Sequence, residues 1–198
     1  GSVMKAIESR GWGNDLDVLY TTDHGEFQGD FGLLFKGPYH VDSLMRLPLI
    51  WRPAPSANIP PARVSAPVGH VSLAATFAHI AGIAQPSYVE APRLPIHQAE
   101  AEQLGHERVL TEWDSVLFGK IVHLRTICRD NWVCTAALDG TMSKAGEGEL
   151  YDLTHDPLQH VNRWDDPSVR ALREDLLADM WDNLPSQHLP LRSMDAPV

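Results

Sequence analysis

The sequence predicts an α/β fold in two parts: a mixed-sheet region over residues 1–105, then a small antiparallel sheet with a packed C-terminal helix over 106–198. Three observations predict it. A β-rich run at 17–22 leads directly into a Gly-rich loop, the arrangement of a strand end in an open α/β sheet. Segments at 108–112, 124–129 and 132–136 read as short strands, the last two joined by an Asp130-Asn131 hairpin turn. Asp166 and Pro167 open a helix at about 167–184 whose Val169, Leu172, Leu176, Met180 and Leu184 share one face.

In chain order, residues 3–10 fit the end of an amphipathic helix, and the run 17–22 is most strand-like at Val18 to Tyr20. Asp23 then sits just past a strand end, where the loops of an open sheet converge on a crevice. The segment 24–40, with Gly25, Gly29, Gly32 and Gly37, is too polar and too broken by glycine for a regular element. A second apolar run at 47–51 is bounded by the Pro-rich stretch 53–61, a surface excursion that cannot join a sheet interior. Leu73, Phe77 and Ile80, interleaved alanines and Gly82 predict a buried helix over 71–81. Residues 85–105 are expected to be irregular, and 149–153 form a further short strand. The helix at about 167–184 is expected to end before Pro185.

A chain of 198 residues and 22.0 kDa can bury a core without disulfides or metal. No apolar run reaches the roughly 18 to 20 residues of a membrane span. With 26 acidic and 16 basic residues the formal charge is −10, which disfavours nucleic acid and anionic lipid as partners. Ten acidic and three basic residues fall between 147 and 182, read here as a solvated helix face and loops. Cys128 and Cys134 match neither a redox pair nor a zinc knuckle and read as reduced core thiols. The first residues lack an apolar signal region and their Gly-Ser resembles a cloning remnant, so a cytoplasmic location is favoured while an upstream signal stays open.

The chemistry concentrates at 22–26, Thr-Asp-His-Gly-Glu. Adjacent strand residues point to opposite faces, so Asp23 and His24 reach one metal only if the chain turns, which Gly25 permits. Two readings stand, a two-ligand half-site and an Asp-His pair capping a turn. An imidazole ligand tilts the choice toward manganese, zinc or iron over calcium. Lys36, flanked by apolar residues and Gly37, can bind an oxyanion and offset charge on a leaving oxygen, or snorkel at the surface. His40, Asp42 and Arg46 can add to such a site or pack the loop.

The run 20–37, Tyr-Thr-Thr-Asp-His-Gly-Glu-Phe-Gln-Gly-Asp-Phe-Gly-Leu-Leu-Phe-Lys-Gly, followed by Arg46-Leu-Pro-Leu-Ile50, resembles the second signature region of the sulfatase family within the alkaline-phosphatase superfamily. Two weaker family features follow in order, at 69–83 and at 148–157 with Asn162 behind them. The Asp-His form is similar to the branch with choline-sulfatase-like enzymes and phosphonate monoester hydrolases. Ser72 and Ala75 stand where the family usually has aspartate and proline, departures that read as structural.

The resemblance implies the C-terminal part of an alkaline-phosphatase-like mixed-sheet domain, with a small-molecule sulfate or phosphonate ester as ligand. Asp23 and His24 would hold a divalent metal, calcium or manganese ahead of zinc, and Lys36 would contact the ester and its leaving oxygen. In the family the nucleophile is a formylglycine made from Cys or Ser in a Cys/Ser-x-Pro/Ala-x-Arg motif. Attack of its hydrate oxygen on sulfur or phosphorus is followed by hemiacetal breakdown. The only local likeness to that motif, Cys134-Thr-Ala-Ala-Leu138, lacks the arginine. The nucleophile and first metal ligands are expected in a missing N-terminal half, leaving this chain alone inactive. Its expected partners are a second copy through self-association or an N-terminal sulfatase half.

Overall fold

The computed structural model describes residues 1–117, 119–142 and 144–184. Helix α1 (Ser2–Ser9) precedes strand β1 (Val18–Tyr20). The Gly-rich loop follows, interrupted by one 3₁₀ turn (Asp30–Gly32) and closed by the short helix α2 (Asp42–Met45). Strand β2 (Ile50–Arg52) returns antiparallel to β1, pairing Val18 with Arg52 and Tyr20 with Ile50. The strand therefore begins at the end of the apolar run 47–51, after Pro48, which cannot donate to a ladder. Trp51 fixes the pair by donating its Nε1–H to Asp17 Oδ1 at 2.8 Å.

Helix α3 (Ser72–Ile80) lies where the periodicity predicts it, but the buried-helix expectation is corrected. The face turned inward is Ser72, Ala75 and Thr76, while Phe77 is 53% exposed and Ile80 also faces outward. Small residues are selected there because backbone passes close by: Leu94 N donates to Thr76 Oγ1 at 2.8 Å, and that hydroxyl donates to Ser72 O at 2.7 Å. Ser72 and Ala75 are both buried, consistent with structural substitutions. The irregular stretch 85–105 is corrected too, since it contains helix α4 (Gln98–Gln103). Glu100 supports its first turn, accepting from Ile96 N at 2.6 Å and pairing with Arg93. The Arg93 hydrogen bond holds the Glu100 carboxyl down at about 2.

The second sheet runs β3 (Val109–Leu117), β4 (Lys120–Arg129), β5 (Trp132–Ala137) and β6 (Gly148–Asp152), in that order and antiparallel throughout. Strand β3 extends well past the predicted 108–112 because its outer half pairs with Lys120 to Leu124. The β4–β5 hairpin turns on Asp130 and Asn131 with φ of 53 and 61, the double positive φ of a type I′ turn. Helix α5 (Arg170–Asn183) follows a 3₁₀ turn (Pro167–Val169) whose opening Ser168 N–H is accepted by Asp166 Oδ1 at 2.8 Å. Pro185, expected to stop the helix, lies outside the described residues.

Each face of this sheet has its own neighbour. Leu110, Ile127, Cys134 and Leu150 form one cross-strand row, and this row packs on Leu176 and Met180 of α5. Burial there pushes the Cys134 thiol up to about 12, an unreactive core group. Cys128 is half-buried and its thiol is pushed up as well, and both cysteines are free. The acidic run is more than a solvated face, a third correction: Asp179 pairs with Arg108 and Arg129, and Asp175 also meets Arg129. These bridges tie α5 to the start of β3 and the end of β4. On the opposite face the row Thr111, Thr126, Thr135 turns toward the Gly-rich loop.

Candidate active site

The Gly-rich loop leaves β1 at Thr21 and is pinned at both ends. Thr21 Oγ1 lies 3.1 Å from His70 Nε2, tying the strand end to the turn before α3. Gly25 N donates to Leu44 O at 2.8 Å and Glu26 N to Ser43 O at 3.1 Å, laying the Asp-His turn against α2. Only glycine fits: a Cβ on Gly25 would stand 1.9 Å from Ser43 O. A small core of Phe27, Val41 and Leu44 fills the loop, with Phe31 and Tyr39 meeting the Phe27 ring edge-on. Gln28, Phe31 and Phe35 all adopt positive φ, so the loop stores backbone strain that this packing holds in place.

Asp23 and His24 come together as the turn reading and the ligand reading both require. His24 Nδ1 donates to Gly25 O at 2.7 Å, because a carbonyl only accepts. In the neutral ring this leaves the Nε2 lone pair free, 3.7 Å from Asp23 Oδ2. Two donors on one divalent cation sit about 3 to 3.5 Å apart, so this pair is close to a ligating bite. The Asp23 carboxyl is held below its usual range by its own backbone N–H and the neighbouring imidazole. Its side chain is 84% exposed, open to an incoming ion. Among the described residues no third His, Cys, Asp or Glu joins them.

Lys36 is exposed and lines a cavity of about 370 Å³ with Phe27, Leu34, Tyr39, Lys120 and Met142. Neither Asp23 nor His24 is part of that lining. Asp42 and Arg46 pair with each other at 3.3 Å along α2, and Asp42 N donates to Gln159 Oε1 at 2.6 Å, so they serve loop packing.

His40 is buried rather than at the surface, bonded through Nδ1 to Thr126 Oγ1 at 2.7 Å, with Thr126 and Thr135 hydroxyls 2.8 Å apart. The loop thereby docks on the second sheet. Burial, with Arg125 nearby, lowers the His40 pKa to about 4. The unfolded chain takes up this proton near pH 6.5 and the folded chain only near 4. Stability from this group is therefore full above about pH 6.5 and falls through that window, by about 3 kcal/mol in the limit. Denaturant titrations of His40→Gln between pH 7 and 4 are expected to lack this component; an unchanged slope contradicts it.

Gly25 as a close-approach residue and His40 as the loop anchor carried no sequence signal beyond their residue types. Lys120 carried none at all, because it joins Lys36 only through the β3–β4 hairpin.

No family model matches the chain. It is 30% identical over 171 residues to the sulfatase YidJ of Escherichia coli (strain K12), covering 84% of this chain and 32% of that protein. It is 27% identical over 196 residues to the Delta 4,5-hexuronate-2-O-sulfatase of Bacteroides thetaiotaomicron, covering 92% and 39%. The phosphonate monoester hydrolase of Agrobacterium radiobacter shares its fold, with a TM-score of 0.71 at 18% identity over 92% of this chain and 37% of that one. The chain thus spans 32% and 39% of the lengths of the two curated relatives. Among the described residues no helix is long and apolar enough to cross a membrane.

Proposed function

Since the chain matches a C-terminal segment of the sulfatase family, with sulfatases as its sequence relatives, we propose that it supplies part of the active site of a sulfuric ester hydrolase. The observation that carries this is the Asp23–His24 pair, with Nε2 freed by the Gly25 carbonyl and 3.7 Å from the carboxylate. This pair holds one side of a divalent cation, manganese or calcium before zinc, and the remaining ligands come from the rest of the protein. When bound, the cation supplies Lewis-acid stabilisation of the ester oxygens. Lys36 places an ammonium at the ester and offsets charge on the leaving oxygen. In the neutral His24 ring, the Nδ1–H bond to Gly25 O orients Nε2 as the ligating nitrogen.

The formylglycine nucleophile belongs outside these residues: Cys134 is buried, its thiol pushed up to about 12, and no arginine follows at 138. Residues 1–105 then form the late part of the catalytic domain and 106–198 its C-terminal subdomain. By itself the chain is inactive. Exposed apolar residues around helix α3, Val71, Phe77 and Ile83, support self-association or docking to an N-terminal sulfatase half. A phosphonate or phosphate ester is the second substrate class, favoured by the fold shared with a phosphonate monoester hydrolase.

The test is hydrolysis of 4-nitrophenyl sulfate and of a phenylphosphonate monoester by the chain alone and after co-refolding with a formylglycine-bearing N-terminal part of YidJ. Activity is expected only in the mixture, and Lys36→Ala is expected to lower it by roughly 10²- to 10³-fold. Activity in the mixture that is indifferent to Asp23, His24 and Lys36 overturns the proposal.

A further inference from the structure

The chain has only four lysines, at 5, 36, 120 and 144, and a formal charge of −10. Two of the four, 84 positions apart, line the same cavity of about 370 Å³, and no Asp or Glu is among its lining residues. Lys36 comes from the Gly-rich loop and Lys120 from the start of β4, at the turn where Leu117 pairs with it. Among the described residues neither ammonium has an ion-pair partner, whereas arginines at 93, 108, 125, 129 and 163 are all paired with carboxylates. Two like charges brought to one cavity without a counter-ion repel each other, an arrangement that an anion relieves. The walls between them are apolar and aromatic: Phe27, Leu34, Tyr39 and Met142.

We infer that Lys120 is a second anion-binding residue, which with Lys36 forms a two-cation cradle for an oxyanion ester bearing an apolar or aromatic group. The inference rests on the proposed role of Lys36, and adds to it a contact from the second sheet and a substrate class. One ammonium meets the sulfuryl or phosphoryl oxygens, the other shares them, and the ester's carbon portion lies on the exposed Leu34, Tyr39 and Met142. The recognition is of the oxyanion ester, whether sulfate or phosphonate.

The experiment is lysine acylation with an N-hydroxysuccinimide ester on the full chain, read residue by residue by mass spectrometry, with exposed Lys5 and Lys144 as internal references. Phenyl sulfate and methyl phenylphosphonate, tested separately, are the ester probes, and inorganic sulfate is the control anion. The expected result is that at least one ester slows acylation of Lys36 and Lys120 together, leaves Lys5 and Lys144 unchanged, and does so at lower concentration than inorganic sulfate. The ester that protects identifies the class. In Lys120→Gln the concentration protecting Lys36 by half is expected to rise about tenfold, the loss of one charge-assisted contact. Protection of Lys36 alone overturns the assignment of Lys120 while leaving the role of Lys36 standing. Equal protection by the esters and sulfate overturns the apolar half of the assignment. Uniform protection of all four lysines, or of none, overturns the cradle. Metal binding at Asp23 and His24 is not read by this measurement, so its failure is separable from theirs.

Discussion

Replacing Arg125 by alanine is expected to cost about 3 to 5 kcal/mol of folding stability. The guanidinium is buried between strands β3 and β4, bidentate to Asp114 at 3.0 and 2.9 Å and bonded through Nε to Glu112 at 2.9 Å. It also donates to the Leu124 carbonyl at 2.8 Å. Burial pushes the Asp114 carboxyl up, yet Arg125 and His123, the latter 2.6 Å away, override it and hold the group below its usual value. Removing the arginine leaves two carboxylates facing each other with only His123 to compensate. The measurement is equilibrium urea unfolding of Arg125→Ala beside Arg125→Lys. Lysine cannot reproduce the bidentate fork and is expected to recover only part of the loss. A change below about 1 kcal/mol in the alanine variant, the range of exposed ion pairs, contradicts the account.

The second large effect is at Gly25. Alanine there sets a methyl carbon 1.9 Å from Ser43 O, against backbone that cannot rotate away. Relief requires breaking the bonds from Gly25 N to Leu44 O and Glu26 N to Ser43 O, which release the Asp-His turn from α2. The expected loss is about 2 to 4 kcal/mol, or detachment of the turn with the rest of the fold intact. Either way the Asp23–His24 geometry disappears, while the second sheet and α5, held by their own ladder and core, keep their amide exchange protection. Native-like protection at residues 22–26 in Gly25→Ala contradicts the account.

Much of this was legible in the sequence where one local rule acted alone. The Asp130-Asn131 turn followed from two residues that tolerate positive φ, and α5 followed from an N-cap, a proline and a clean apolar face. The Asp-His pair was legible because glycine follows it. What stayed hidden depends on distant partners. The inward face of α3 is Ser72, Ala75 and Thr76 because the backbone at Leu94 passes there, and periodicity alone favours Phe77 instead. Helix α4 lacks an apolar pattern and is held by Arg93 and Ile96 through Glu100. The acidic residues of α5 look solvated until Arg108 and Arg129 arrive from other strands. Lys120 reaches the Lys36 cavity through tertiary structure only.

The central claim, that Asp23 and His24 form a metal half-site, is tested most directly by titrating the full chain with manganese and following paramagnetic broadening in its amide and imidazole NMR spectra. With two protein donors and water in the remaining positions, binding is expected to be weak, on the order of 10⁻⁴ to 10⁻³ M. The account predicts broadening that is strongest at residues 22–26 and at the His24 ring, and that vanishes from them in His24→Ala. Broadening that centres on the acidic residues between 147 and 182, and is unchanged in His24→Ala, would contradict it.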